Sequence, residues 1–130
     1  MTKPRILIAD DHSIVLAGLC KLVEADGEGE VVGTAEDGRA LVEEAQKLRP
    51  DIILLDMMMP EKDGLQACRE LRQRTSTQSI PIVLLTAINQ VTNSRFSLDD
   101  RQSFLPEVSG MLTKPVKLDV LLARVREILQ

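Results

Sequence analysis

Residues Ile52-Ile53-Leu54-Leu55 form an unbroken apolar run between two acids, Asp51 and Asp56. The run has strand length and does not alternate. That is the pattern of a strand buried on both faces, and such strands belong to parallel sheets covered by helices on either side. An acid at the end of a buried strand is costly unless it is paired, hydrogen-bonded or metal-bound. Asp56 is therefore the first candidate for a functional role.

The rest of the chain alternates in the same sense. Arg5-Ile6-Leu7-Ile8-Ala9, closed by Asp10-Asp11, reads as a first strand, and Val15, Leu19, Leu22 and Val23 recur at helical spacing between Ser13 and Ala25. Asp26-Gly27 and Gly29 break that stripe, and Glu30 to Ala35 reads as a second strand. A helix through Leu41, Val42, Ala45 and Leu48 opens after Asp37-Gly38 and stops before Pro50. The third strand is Asp51 to Asp56, and Leu65, Cys68 and Leu71 mark a third helix. Pro81 begins a fourth strand that Thr86 closes, and Met111-Leu112-Thr113 is a fifth, followed by Lys114-Pro115. Leu118, Leu121, Leu122, Val125 and Ile128 make the last helical stripe. Strand-helix alternation implies an α/β fold with one parallel sheet and helices on both faces. Right-handed crossovers bring every strand's C-terminal end to one edge, where ligands bind in such sheets. The stretch from Ala87 to Gly110 has no helical stripe. Ser97 fits a helix cap, with Asp99 and Asp100 in the first turn and Pro106 as the limit. A short helix and irregular chain are expected there, not one full amphipathic helix.

The 130 residues favour a single domain over 1–130, and 44% hydrophobic content suffices for its core. No apolar run approaches the roughly 18 residues of a membrane helix, and no signal-peptide pattern stands at the N-terminus, so the reading is a cytoplasmic protein without membrane contact. The net charge is -4 without a basic patch, which speaks against direct nucleic-acid binding. Cys20 and Cys68 lack metal-ligand spacing and read as reduced, buried residues.

Asp10, Asp11, Asp56, Thr86 and Lys114 thus gather at the ends of four strands. Three carboxylates at close quarters raise a pKa or recruit a cation, and hard oxygen ligands with retained water suit magnesium. Asp10-Asp11 also reads as a helix cap before His12-Ser13, Thr86 as a β-branched strand residue and Lys114 as a solvated amine. Taken together, acids, a hydroxyl and an ammonium suit phosphoryl transfer to a carboxylate, because cations and hydroxyl donors stabilise the charge on a transferring phosphoryl group. His12, the only histidine, reads as a solvated loop residue.

Asp10-Asp11, Asp56 with Met59-Pro60 and Asp63-Gly64, Thr86-Ala87 and Lys114-Pro115 occur in that order on alternating strands and helices. In this the chain resembles the receiver domain of bacterial two-component response regulators, in its stand-alone, chemotaxis-type form. The resemblance runs from Arg5 to Leu129. It implies a flavodoxin-like five-stranded sheet in order 2-1-3-4-5. It implies that Asp56 accepts a phosphoryl group from a histidine kinase or phosphotransfer protein, that Thr86 and Lys114 hold that group, and that a downstream protein reads the change. It also implies a Mg2+ site made by Asp10, Asp56 and the backbone carbonyl of Met58, with Asp11 acting through water. Such a domain assists its own phosphorylation and dephosphorylation but is not an enzyme acting on other substrates. By the same resemblance, Met58 and Ile88 flank the acceptor; both are apolar, which implies slow loss of the phosphoryl group.

Two departures qualify the resemblance. Receivers carry an aromatic switch residue three positions before the lysine, and here that position is Met111. The only aromatics, Phe96 and Phe104, fall in the stretch between Thr86 and Lys114, which is longer than usual. The fourth helix in order, between the fourth and fifth strands, is therefore expected to be remodelled. An alternative is a receiver-fold interaction module that signals without phosphorylation. A haloacid-dehalogenase-type phosphatase needs a second acid two residues after the nucleophile, and that residue is Met58.

Overall fold

The computed structural model describes residues 3–10, 13–25, 27, 29–56, 64–87, 110–114 and 118–129. Within them five strands form one sheet: β1 (Arg5–Ala9), β2 (Glu30–Ala35), β3 (Ile52–Asp56), β4 (Ile82–Ala87) and β5 (Gly110–Lys114). All pair in parallel, in the order β2-β1-β3-β4-β5. This is the flavodoxin-like arrangement expected from the sequence. The described helices are α1 (Ser13–Ala25), α2 (Gly38–Leu48), α3 (Gly64–Gln73) and α4 (Leu118–Leu129). The remodelled helix expected between β4 and β5 falls outside the described residues.

The unbroken apolar run explains the centre of the sheet. Ile52, Ile53, Leu54 and Leu55 have no solvent exposure. Successive side chains of a strand point to opposite faces, so the run feeds two cores. Ile53 and Leu55 join Leu7, Ala9, Ile82 and Leu84 under Leu41, Ala45, Cys68 and Leu71 of α2 and α3. Ile52 and Leu54 join Ile6, Ile8, Val83 and Leu85 under Leu16, Val23, Leu121 and Val125 of α1 and α4. Each fully buried Leu or Ile contributes about 1.5–3 kcal/mol. Of the two cysteines, Cys68 is buried, whereas Cys20 is only half-buried; both are free. This corrects the expectation for Cys20, whose helix leaves it at the margin of its core.

Polar ties fix the N-terminal edge of the sheet. The Arg5 guanidinium donates to the carbonyls of Leu48 and Arg49, each at 2.9 Å, at the end of α2. These carbonyls have no partner within the helix. Asp51 Oδ2 accepts from the Arg5 backbone N–H at 2.8 Å, and the Asp51 N–H returns a bond to the Arg5 carbonyl at 2.8 Å. Arg49 takes a left-handed φ of 48° to turn the chain toward β3. At the other end of α2, Asp37 caps the helix by accepting from Ala40 N–H at 2.8 Å. The β1–β2 register shifts between Ile6 and Leu7, bringing Gly33 opposite Leu7. A Cβ there would stand 2.5 Å from Leu48 Cδ1, so glycine lets α2 lie close on β2.

Candidate functional site

The opposite edge, where the strands end, carries four of the residues predicted for the site: Asp10, Asp56, Thr86 and Lys114. Asp10 directly follows β1 and has no solvent exposure. Its N–H donates to Ala35 O at 3.0 Å, so the end of β2 fixes its backbone. That contribution from Ala35 is invisible in the sequence pattern, where it reads only as the last residue of a strand.

The pairing register places the other residues. Ala9 lies opposite Leu55, so Asp10 and Asp56 each follow by one step on neighbouring strands. Asp56 lies opposite Leu85, immediately before Thr86. Thr86 lies opposite Thr113, and Ala87 opposite Lys114. Adjacent strands are about 4.8 Å apart, so the backbones of Asp10, Asp56 and Thr86 fall on three neighbouring strands within roughly 10 Å. Lys114 ends the next strand out. Asp56, Thr86 and Lys114 are placed here by backbone register. Asp11, Met58, His12, Ile88, Phe96 and Phe104 lie outside the described residues. Met111 sits in β5 opposite Leu84.

A carboxylate held wholly out of water, one strand from a second acid, is a hard-oxygen donor set that fits a divalent cation such as magnesium. Among the described residues no group of three or more metal-ligating side chains occurs. The expected set draws on Asp11 and Met58 beyond them. Away from this edge, burial and then the charge of Glu24 push the Cys20 thiol above its usual range, against a lowering backbone hydrogen bond. No helix among the described residues is long and apolar enough to cross a membrane.

Comparison with known proteins agrees with this geometry. The family model described as response regulator receiver domain matches residues 6–126. The DNA-binding dual master transcriptional regulator RpaA of Synechocystis is 38% identical over 127 residues, covering 98% of this chain and 49% of RpaA. The chain thus spans half or less of the length of curated relatives such as RpaA, YdfI of Bacillus subtilis and MprA of Mycolicibacterium vanbaalenii. Among solved structures, a putative response regulator from Chloroflexus aurantiacus superposes with a TM-score of 0.82 at 29% identity, covering 98% of both chains. The receiver domain of sensor histidine kinase PA1611 from Pseudomonas aeruginosa gives 0.81 at 26% identity, covering 98% of both chains. That structure holds a magnesium ion in its active-site cleft.

Proposed function

The chain belongs to the family of response regulator receiver domains, and from that membership we propose that it is a phosphorylatable signalling domain with Asp56 as acceptor. The observation that carries this reading is the pair of strand ends, buried Asp10 beside Asp56, with Thr86 one residue before the end of β4 and Lys114 ending β5. The donor is a phosphohistidine on a sensor kinase or phosphotransfer protein. An Asp56 carboxylate oxygen attacks the phosphorus. The new O–P bond forms as the P–N bond breaks, and the imidazole leaves with the electron pair. The Thr86 hydroxyl and Lys114 ammonium hold the phosphoryl oxygens, whose charge is greatest in the transition state. Asp10, Asp56 and the Met58 carbonyl, with Asp11 through water, would hold Mg2+, which supplies positive charge against the acidic site and the phosphoryl oxygens. The magnesium ion in the active-site cleft of the similar PA1611 receiver supports magnesium as the ion.

The domain, residues 1–130 as one unit, assists its own phosphorylation and dephosphorylation and acts in the cytoplasm. Its output is an altered affinity for a downstream protein, without direct contact to nucleic acid. Met111, in β5 where receivers carry an aromatic switch, favours a modified read-out and keeps one second reading: an interaction module that signals without phosphate. Acetyl phosphate with magnesium separates the two. A single phosphoryl adduct by intact mass, lost in Asp56→Asn and with a chelator, is expected. An adduct that persists in Asp56→Asn overturns the acceptor, and a folded protein that takes no adduct leaves the module.

A further inference from the structure

Asp10 leaves β1 with its backbone tied to β2, and β2 is not a regular strand. Ile6 pairs with Val31 but Leu7 with Gly33, so Val32 is an extra residue. Without that shift Thr34 would stand opposite Ala9. With it Ala35 does, and the Ala35 carbonyl accepts the Asp10 N–H at 3.0 Å. An extra residue in a strand re-aims the chain that follows, and such irregularities gather beside functional sites.

Helix α2 holds Ala35 from both sides. Two residues before it, Gly33 lies against the last turn of α2. A Cβ at Gly33 would stand 2.5 Å from Leu48 Cδ1, 3.4 Å from Leu7 Cδ1 and 3.7 Å from Glu44 Oε2, so the seat is closed on three sides. Glycine weakens a strand interior and often marks a place where another part of the chain comes close. Two residues after Ala35, Asp37 is locked to the first turn of α2. Its Oδ1 accepts the Ala40 N–H at 2.8 Å, and its carbonyl accepts the Leu41 N–H at 3.0 Å. Ala35 itself is buried in one core with Leu41 and Ala45 of α2. The carbonyl that orients Asp10 therefore moves with α2.

We propose that α2 sets the magnesium affinity of the acceptor site, with Gly33 and Asp37 as positioning residues that fix Asp10 through the Ala35 carbonyl. The inference rests on Asp10 being a ligand of the ion, as proposed above. Neither Gly33 nor Asp37 belongs to the proposed ligand set; both act through the backbone. A ligand must be held within roughly 0.5 Å of its productive geometry. Contacts one step behind a metal ligand are worth roughly 10–100-fold in affinity. Asp10 is wholly buried, so its carboxylate has little room to correct a displaced backbone.

Amide NMR of the whole chain, titrated with magnesium chloride, tests this. The same samples give the dissociation constant of the ion and the solvent exchange of the Asp10 N–H. Gly33→Val lifts α2 from β2; the affinity falls about tenfold and Asp10 exchange speeds up. Adding Leu48→Ala makes room for the new side chain and restores both, although trimming a packed leucine lowers stability. A mere loss of stability would worsen in the double variant, so the rescue separates positioning from folding. Asp37→Ala and Asp37→Asn remove the same charge, and only asparagine keeps a capping oxygen. Asp37→Ala binds magnesium several-fold more weakly than Asp37→Asn, and this pair decides alone if Gly33→Val does not fold. Three results overturn the inference and leave the magnesium site standing: wild-type affinity in folded Gly33→Val, no rescue by Leu48→Ala, or equal affinity in the two Asp37 variants. A wild-type chain that binds no magnesium overturns the inference and the site together.

Discussion

Asp10 is a carboxylate without solvent exposure, and its stability cost depends on what else occupies the site. Asp10→Asn keeps the shape and removes a charge. In the wild type, millimolar magnesium is expected to raise the thermal midpoint, since a ligand that binds only the native state stabilises it. In Asp10→Asn the rise with magnesium is lost. Thermal unfolding with and without the ion measures this, and a magnesium-induced rise that survives in the variant removes Asp10 from the ligand set. A second prediction concerns Met58 and Ile88, placed beside the acceptor by family resemblance. Neither side chain can orient a water or take its proton, which in-line hydrolysis requires. Met58→Asn combined with Ile88→Glu should shorten the life of the phosphorylated protein several-fold. Equal decay in both proteins would remove the argument.

At the scale of elements, the ends of α2 are held by two polar devices of unequal strength. Asp37→Ala removes one neutral-donor cap and is expected to cost about 1 kcal/mol. Arg5→Met leaves the Leu48 and Arg49 carbonyls without their charged donor and is expected to cost about 2–3 kcal/mol. Urea unfolding of the two variants checks the order, and a larger loss in Asp37→Ala contradicts it. The Asp37 cap is legible in sequence, because Asp-Gly before a periodic apolar stripe is a local signal. The Arg5 tie is not. It joins residues that only the β1–β3 pairing brings together, and Arg5 by itself reads as a strand-start charge. The same division runs through the candidate site. Strand ends are local features, so Asp56, Thr86 and Lys114 could be named from the chain alone. The Ala35 carbonyl that fixes Asp10 depends on a register shift opposite Gly33, and no periodicity announces a bulge. Cys20 misled for a related reason: helical spacing gives the side of a helix, not how far a side chain at the stripe's margin is covered.

For the whole molecule, one sheet with two cores makes the central strand the most sensitive position. Leu54→Ala, at the middle of β3, is expected to cost about 3 kcal/mol, whereas Val120→Ala on the exposed face of α4 costs about 0.5 kcal/mol or less. Denaturant unfolding with an unchanged slope would report the difference as lost packing.

The strand order also sets a timetable for the newborn chain. Asp10 is made early and Lys114 late, and β5 joins the sheet only through β4. At translation speeds of about 5–20 residues per second, several seconds separate Asp56 from Lys114. On the proposed assignment, Asp56 exists during that interval without the Lys114 ammonium. A partly synthesised copy then offers a phosphohistidine donor an incomplete site, and a response to the donor reports that synthesis has passed β5.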